Sequence, residues 1–353
     1  MDRCYADSDI VFRLFVWEEI KIYSIMREER IDTLRFLGIS LIILAHVGAP
    51  AWVNQLRCFD VPLMFFVSGL ACSGKPIVNY WDYAIKRAKR LLYPTWGFLA
   101  VFLILLSLLR LILHKEPLPL DYYIESLTMT GGVGYVWIIR IFFLVALVQP
   151  IWLWIEKKLN STPKAMLSFL AVWGGVILLY HSSASWNSIF LKRFLEEWVI
   201  TLISYALPYV LGLKLRYLEV RKVKAITIVW AIIFAISLVV YYCKNGLPII
   251  LTPAYKYPPH SYYVLYGLLV CSLLWLMSKR IAKVFGNRFF LFIGQNTIWI
   301  YFYHIPLLLF TSNIPWVYRY VLVYAISVLL FSVQYRVYRH WKDKYPVVRY
   351  LIG

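Results

Sequence analysis

The sequence predicts an all-α fold: a polytopic integral membrane bundle of about ten transmembrane helices, with both termini in the cytoplasm. Hydrophobic residues make up 61% of the 353 residues and charged residues 16%, whereas an ordinary soluble domain carries about a quarter charged residues. The apolar residues occur in long blocks, as in membrane-spanning helices, and do not alternate with polar residues as in barrel strands. Since a segment in lipid must satisfy its own backbone hydrogen bonds, these blocks predict a helical bundle.

Ten apolar blocks define the predicted spans. They lie at about 32–50, 59–73, 91–112, 136–155, 165–181, 198–213, 225–243, 261–277, 289–311 and 316–333. The second block has Pro62 near its start and the ninth contains Gly294 and Pro306, so we expect a bend in one and a break in the other. Residues 31–335 are expected to form one transmembrane domain, between a cytoplasmic or interfacial segment (1–30) and a basic cytoplasmic tail (336–353).

The basic residues set the predicted orientation. Segments 1–31, 74–90, 156–164, 214–224, 278–288 and 334–353 hold 27 of the 37 lysines and arginines, and the five segments that alternate with them hold six. Because cytoplasmic loops of membrane proteins are enriched in these residues, the first set is predicted to be cytoplasmic. The net charge of +19 is attributed to topology and lipid headgroups, and we expect no nucleic-acid partner.

The first 25 residues lack the apolar core and the cleavage site of a signal peptide. Within them the run VFRLFVWEEIKIYSI is predicted to form an amphipathic helix on the membrane surface. The alternative is that translation starts at Met26, so that this segment is not made.

The five cysteines indicate neither a disulfide framework nor a metal site. Their number is odd, and none lies in a CxxC motif or in a Cys/His cluster with the spacing of metal ligands. We interpret them as small apolar residues and expect no metal.

Ionisable side chains inside predicted spans are good indicators of a functional site in a membrane protein. Arg35 and His46 share the first span, eleven residues apart, which is about 16 Å along a helix and close to three full turns. Both should therefore point to one face, Arg35 near the cytoplasmic end and His46 in the outer half. A neutral imidazole is a good general base near pH 7, and the alternative is a buried histidine bonded to a backbone carbonyl.

Three more ionisable residues fall in the outer half of predicted spans. Asp60, at the start of the second span, could orient a histidine as the carboxylate of a catalytic triad does, or it could face water at the interface. Arg140 lies one turn inside the fourth span, from where it could extend to the interface. His304, in the ninth span, is either a functional group or a core histidine.

A basic segment precedes the third span on the predicted cytoplasmic side. It contains Lys86, Arg87, Lys89 and Arg90. Arg87 and Arg90 are three residues apart and so share one helical face, where they could hold a phosphate or pyrophosphate bidentately. The alternative is that the segment only anchors the helix at the cytoplasmic surface.

The functional candidates are thus divided by depth, with the histidines in the outer half and the arginine pair at the inner face. This division fits an enzyme that takes a phosphorylated donor from the cytoplasm and reacts near the outer leaflet. It also fits a transporter or flippase of a lipid-linked glycan, although the sequence shows neither inverted repeats nor charge spread over many spans. A receptor or assembly protein would leave the Arg35 and His46 pair unexplained.

Four segments carry a family resemblance. They are IDTLRFLGISLIILAHV, in which ten residues separate an arginine from a histidine; VPLMFFVSGL; KRAKRLLYP, with Arg-x-x-Arg before a proline; and GQNTIWIYFYHIPLL, with Tyr-x-x-His. In this order and at these spacings they resemble the acyltransferase 3 family of bacterial membrane sugar O-acyltransferases, over residues 30–335.

The resemblance implies an O-acyltransferase in the inner (cytoplasmic) membrane of a bacterium. The donor would be acetyl-CoA, offered from the cytoplasm. The acceptor would be a hydroxyl of an envelope glycan, such as exopolysaccharide, capsule or O-antigen, or of a lipid-linked sugar precursor.

The resemblance also implies roles for particular residues. His46 would be the catalytic general base. From the residues themselves, Asp60 could orient this histidine, and Arg140 or a Tyr or Trp side chain could donate to the oxyanion. The donor would be bound by Lys86, Arg87 and Arg90, and Arg35 would help to bind the donor or hold the helix. Tyr301 and His304 would contact the acceptor, and the reaction would need no metal.

Overall fold

The structure, a computed structural model, describes residues 29–72, 77–158, 161–183, 186–246, 248, 255–256 and 258–341. Every regular element in these ranges is a helix, which confirms the predicted all-α class. The segment 1–25 with its alternative start at Met26, and the tail residues 342–353, lie outside the described residues, and the expectations for them stay predictions.

The helices follow one another with short connections. In chain order they are α1 (Glu29–His46), α2 (Ala51–Arg57), α3 (Asp60–Leu70), α4 (Tyr80–Ile112), α5 (Leu120–Thr128), α6 (Trp137–Leu147), α7 (Gln149–Lys158), α8 (Thr162–Ser183), α9 (Ile189–Phe194), α10 (Thr201–Leu215), α11 (Val220–Asn245), α12 (Ser261–Phe285), α13 (Arg288–Gln295), α14 (Thr297–Phe310) and α15 (Trp316–Trp341). A 3₁₀ turn, Gly134–Val136, leads into α6, and a π-helical segment, Leu195–Ile200, joins α9 to α10.

The protein is a polytopic helical membrane protein. Within the described ranges six helical stretches are long and apolar enough to cross a membrane, and α6 with α7, bent by 55° at their junction, give a seventh if they count as one span. The six are Tyr80–Ile112, Met166–Ser183, Ile189–Leu215, Val220–Asn245, Ser261–Phe285 and Trp316–Trp341.

The other three predicted spans coincide with α1, α3 and α14. Each fails that test for a simple reason: α1 carries four charged residues, α3 has 11 residues and α14 has 14. The ninth predicted span is broken, as expected, with α13 ending and α14 beginning on either side of Asn296. Pro62 falls in the first turn of α3, where proline is tolerated.

The third predicted span is longer than the apolar block, because α4 begins at Tyr80 and takes in the basic segment. Its start is fixed by Asn79, whose side chain accepts hydrogen bonds from the backbone N–H groups of Trp81 and Asp82. Capping of this kind satisfies N–H groups that have no partner inside the helix. Arg87 and Arg90 therefore lie on one continuous helix with the membrane span, which fixes their direction relative to the bundle.

The core is built around α3, which is buried along nearly its whole length. Two glycines bring α3 and α10 into backbone contact, because a methyl group at Gly69 would overlap the carbonyl of Tyr209 and one at Gly212 would overlap that of Phe66. Small residues allow such close approach between membrane helices. The short α3 is thus held rigidly between the longer helices.

The two ends of the bundle differ in the residues they bring together. At one end α1 finishes with His46 and α3 begins with Asp60; we call it the His46 end. At the other, called the Arg87 end, the early turns of α4 meet the last residues of α3 and the start of α7, through hydrogen bonds of Gln149 with Arg87 and Cys72.

Candidate functional site

Two histidines from distant parts of the chain meet at the His46 end. The Nδ1 atom of His46 lies 2.9 Å from Nε2 of His304, and the two rings are nearly parallel, with centroids 5.1 Å apart and 13° between their planes. His46 is half-buried and its Nε2 has no hydrogen-bond partner among the described residues. The sequence predicted the importance of both histidines but not their contact.

The partners of His304 determine which nitrogen of His46 carries a lone pair. His304 is fully buried, and its Nδ1 is bonded to the backbone carbonyl of Tyr301. A carbonyl only accepts, so this Nδ1 carries the hydrogen, and in the neutral ring Nε2 must then accept. His46 therefore donates from Nδ1, which leaves the lone pair on Nε2, the nitrogen without a described partner.

Two tyrosines complete the wall around the histidine pair. The hydroxyl of Tyr301 donates to the backbone carbonyl of Tyr135, whose ring meets the edge of His46 with centroids 4.7 Å apart. Tyr301 also lines the cavity described below. Of the two predicted acceptor residues, His304 contacts His46 directly, and Tyr301 lies beside His304 with ring centroids 5.0 Å apart.

Asp60 is bound by two cations and does not contact His46. Its carboxylate accepts from Arg57 at 2.5 Å and from Lys256 at 2.8 Å. Aspartate, arginine and lysine are 1%, 5% and 7% exposed, so this is a buried cluster with one positive charge in excess. The predicted orienting role of Asp60 finds no contact to support it, since His304 occupies the bonding position on His46.

Arg140 points away from the histidine pair. Its guanidinium lies over the Trp198 ring of the π-helical segment, 4.4 Å from the ring centroid. It is 7% exposed, and its Nε and Nη1 atoms are buried with no hydrogen-bond partner in the described part of the chain. No described contact joins it to His46, so the geometry does not support the predicted oxyanion role.

A cavity of 530 Å³ opens at the Arg87 end and extends along α1 toward Tyr301. Its polar lining includes four arginines: Arg35, Arg87, Arg90 and Arg216. The inner part is lined by apolar residues of α1 and α6, among them Ile39, Ile42, Ile138 and Phe142. A cationic mouth and an apolar interior suit a ligand with an anionic head and a long, less polar arm.

Hydrogen bonds hold the arginines around this cavity. Arg35 pairs with Asp32 at 2.8 Å, and Gln295 of α13 donates to the same carboxylate at 3.0 Å. Arg216 donates to the backbone carbonyls of Leu70 and Cys72 at the end of α3.

Arg87 of α4 is also held, through α7. Arg87 lies 3.4 Å from Oε1 of Gln149 and over the ring of Tyr83, 5.1 Å from its centroid. Lys86, also predicted to bind the donor, is exposed and does not line the cavity. Arg216 was missed by sequence reasoning, because it lies in a basic loop and resembles the other anchoring residues there.

No group of three or more His, Cys, Asp or Glu side chains in the described ranges is arranged to hold a metal ion. The polar features of the site are therefore a fixed imidazole pair at one end and guanidinium groups at the other. This combination defines a membrane protein that can bind an anionic ligand at one end and transfer a proton at the other.

The comparison with protein families identifies the class. The profile of the acyltransferase 3 family, described as an acyltransferase domain, matches residues 28–338. The chain therefore belongs to the acyltransferase 3 family and is a membrane acyltransferase. No curated protein and no solved structure matches the chain.

Proposed function

We propose that the protein transfers an acyl group, acetyl by preference, from cytoplasmic acyl-CoA to a hydroxyl of a cell-envelope carbohydrate, with His46 as the general base. The observation that carries this proposal is the orientation of His46: Nδ1 is bonded to His304, while Nε2 has no hydrogen-bond partner among the described residues. A general base needs its lone pair directed at the proton it removes.

The cavity supports acyl-CoA as the donor. Coenzyme A carries a diphosphate and a ribose phosphate at one end and a thioester at the end of an extended arm. Arg35, Arg87 and Arg90 would bind the phosphates, because guanidinium groups bind phosphate oxygens bidentately. The arm would follow α1 toward His46, over the roughly 16 Å that eleven residues of helix span.

The reaction is a direct transfer in this proposal. His46 Nε2 removes the proton of the acceptor hydroxyl as the oxygen attacks the thioester carbonyl. The tetrahedral intermediate then breaks its carbon–sulfur bond, and the imidazolium returns the proton to the leaving thiolate. The products are the ester and free coenzyme A, and His46 is neutral again.

The buried cluster around Asp60 gives a source of positive charge for the oxyanion. Arg57 and Lys256 lie near enough for their charges to act on His46. A fixed positive potential in a site of low dielectric stabilises negative charge that develops in the transition state. Asp60 would then hold these two cations in place and would not itself orient the histidine.

The proposal also places all ten spans in the inner membrane of a bacterium, with both termini in the cytoplasm. The Arg87 end would face the cytoplasm and the His46 end the opposite side. A reporter fused after Gly353 tests this arrangement. A fusion active only outside the cytoplasm would reverse the assignment of the two ends.

The ester content of the envelope polysaccharide tests the proposed reaction. We would measure O-acetyl signals by NMR in cells without the protein and in cells complemented with the wild type or with His46→Ala. Only the wild type should restore a specific signal. His340→Ala, which changes an exposed histidine at the end of α15, is the matched control and should also restore it.

The same cells would reveal the alternative function. If ester content is equal in all strains and glycan export falls in the deletion strain, transport of a lipid-linked glycan replaces acyl transfer as the function.

A further inference from the structure

A group of six aromatic side chains lies at the His46 end, outside the site described above. It comes from the end of α8, the end of α11, the start of α12 and the loop before α12. We call it the Tyr255 cluster; its members are Tyr180, His181, Tyr241, Tyr255, His260 and Tyr262.

The rings of the Tyr255 cluster contact one another across these four segments. His260 is central: its ring stacks on Tyr262 with centroids 5.3 Å apart and 10° between planes, and it meets Tyr255 edge-on at 5.0 Å. Tyr180 approaches His260 at 6.2 Å, and Tyr241 meets Tyr262 at 5.3 Å. The cluster is therefore one continuous aromatic surface.

The cluster is only half-buried and offers polar atoms among its ring faces. Tyr255, His260 and Tyr262 are all of intermediate exposure. The Nδ1 atom of His260 is buried with no hydrogen-bond partner among the described residues. Burial, and in second place the charge of His181, lower the pKa of His260 below its ordinary value, so the ring is neutral at neutral pH and can both donate and accept.

A salt bridge fixes the loop before α12, which carries Tyr255 and His260, to the His46 end of the bundle. Lys256, next to Tyr255, bonds Asp60 at the start of α3 and pairs with Pro259 in an isolated bridge. The backbone N–H of His260 closes the loop by donating to the carbonyl of Tyr255 at 2.8 Å.

We propose that the Tyr255 cluster binds sugar rings of the acceptor. This inference rests on the proposed acyl transfer to a carbohydrate. The apolar C–H faces of a pyranose pack on aromatic rings, and its hydroxyls pair with phenol and imidazole groups. A surface that combines both, on the side of the base, would hold a sugar chain while one hydroxyl reaches His46.

Tyrosines at a membrane surface can also act simply as interfacial anchors, and two features favour a binding surface. Anchoring residues need no contact with one another, whereas these rings form one packed surface. The loop that carries two of them is also held by a buried ion pair, which an anchor would not require.

The test is direct binding in the absence of acyl-CoA. The probe is soluble envelope polysaccharide fragments, freed of esters by mild alkali, added to the purified full-length protein in detergent. We expect Tyr255→Ala and Tyr262→Ala to weaken binding roughly five- to tenfold each, the effect of losing one aromatic packing partner. Tyr262→Phe keeps the ring and should weaken binding less than Tyr262→Ala does.

Two controls separate this inference from its alternatives. Tyr318→Ala removes an exposed tyrosine in the first turn of α15, at the same end of the bundle, and should leave binding unchanged. His46→Ala should lose acyl transfer, but its binding of the fragments should still depend on Tyr255 and Tyr262, because ring packing does not involve the base.

The outcomes distinguish the sugar site from the proposed reaction. If the wild type transfers acyl groups while Tyr255→Ala and Tyr262→Ala bind and transfer normally, the cluster is not the acceptor site. If Tyr318→Ala lowers binding as much as they do, anchoring is the role of these tyrosines. Ring-dependent binding by a wild type that transfers no acyl group would support the sugar site and overturn the proposed reaction.

Discussion

The two ends of the bundle use different means to hold functional groups. At the His46 end one imidazole is fixed by a single chain of hydrogen bonds, from the Tyr301 carbonyl through His304 to His46. At the Arg87 end four arginines of α1, α4 and the α10 terminus share one cavity. In the first arrangement no other residue can replace any member of the hydrogen-bond chain. In the second, several arginines contribute positive charge to the same cavity.

This difference predicts how each end responds to mutation. A proton must be removed by one atom in one direction, so loss of that atom or of its orientation should reduce the rate strongly. Binding of a phosphorylated donor is a sum of several charge-assisted contacts, so loss of one or two should reduce donor affinity and leave the rate of the chemical step unchanged. The following experiments test that contrast.

The largest effect is expected for His46→Gln, which keeps a polar side chain but removes the base. Since a positioned acid–base group contributes about 10²–10⁴ in rate, kcat should fall by that range while the KM for acyl-CoA changes little. Steady-state rates in proteoliposomes measure both constants. If donor affinity falls while kcat is preserved, His46 acts in donor binding and not in the chemical step.

His304→Leu should have the next largest effect, because it removes the acceptor for His46 Nδ1–H and leaves the ring free to turn. Partners that orient a metal-bound histidine are worth about 10–100-fold, and we expect a kcat loss of that size here. His304→Gln offers a carbonyl oxygen at a similar distance and should recover part of the rate. Equal losses in the two variants would indicate a packing role for His304.

The sequence revealed the types of residue at each end but not their pairing. His46, His304, Arg35 and the arginine pair are all recognisable because ionisable groups are rare in apolar spans. The sequence also gives their approximate depth, since position along a span translates into height. The depth of a residue along a span does not fix how its helix is rotated about its own axis. His46 and His304 are 258 residues apart along the chain, so their contact depends on how the helices pack.

The same reasoning explains why Asp60 and Arg140 do not contact His46. Both were predicted to share the depth of His46, so the sequence suggested that they face the histidine. In the structure Asp60 is engaged by Arg57 and by Lys256, which comes from a loop 196 residues away along the chain. Arg140 lies on the face of α6 that turns to Trp198. The sequence did not mark Lys256 as a site residue, because it lies in a polar segment between two predicted spans.

At the Arg87 end the double variant Arg87→Ala with Arg90→Ala should act on donor affinity. Hydrogen bonds to charged groups contribute about 1.5–3 kcal/mol each, so the KM for acyl-CoA should rise by at least about tenfold, with kcat reduced far less. Lys86→Ala is the matched control, since Lys86 belongs to the same helical turns but is exposed outside the cavity. An unchanged KM in the double variant would indicate that the cavity does not bind the donor.

The smallest effect is expected for Arg140→Leu, and it separates the two interpretations of this residue. A guanidinium that donates to the oxyanion would cost about 10²–10³ in kcat when removed. The structure instead shows a buried cation with two unpaired nitrogens, whose desolvation is unfavourable. Its contact with Trp198 returns only about 0.5–2 kcal/mol.

We therefore expect Arg140→Leu to transfer acyl groups within about threefold of the wild-type rate. Its unfolding midpoint should not be lowered, because an incompletely bonded buried charge is unfavourable and the Glu197 carboxylate whose charge acts on Arg140 is exposed and stays solvated without it. Rate assays in proteoliposomes and thermal unfolding in detergent measure the two quantities. Arg110→Leu, in the last turn of α4, controls for loss of another arginine from a membrane helix. A hundredfold loss of rate in Arg140→Leu alone would restore the oxyanion role of Arg140.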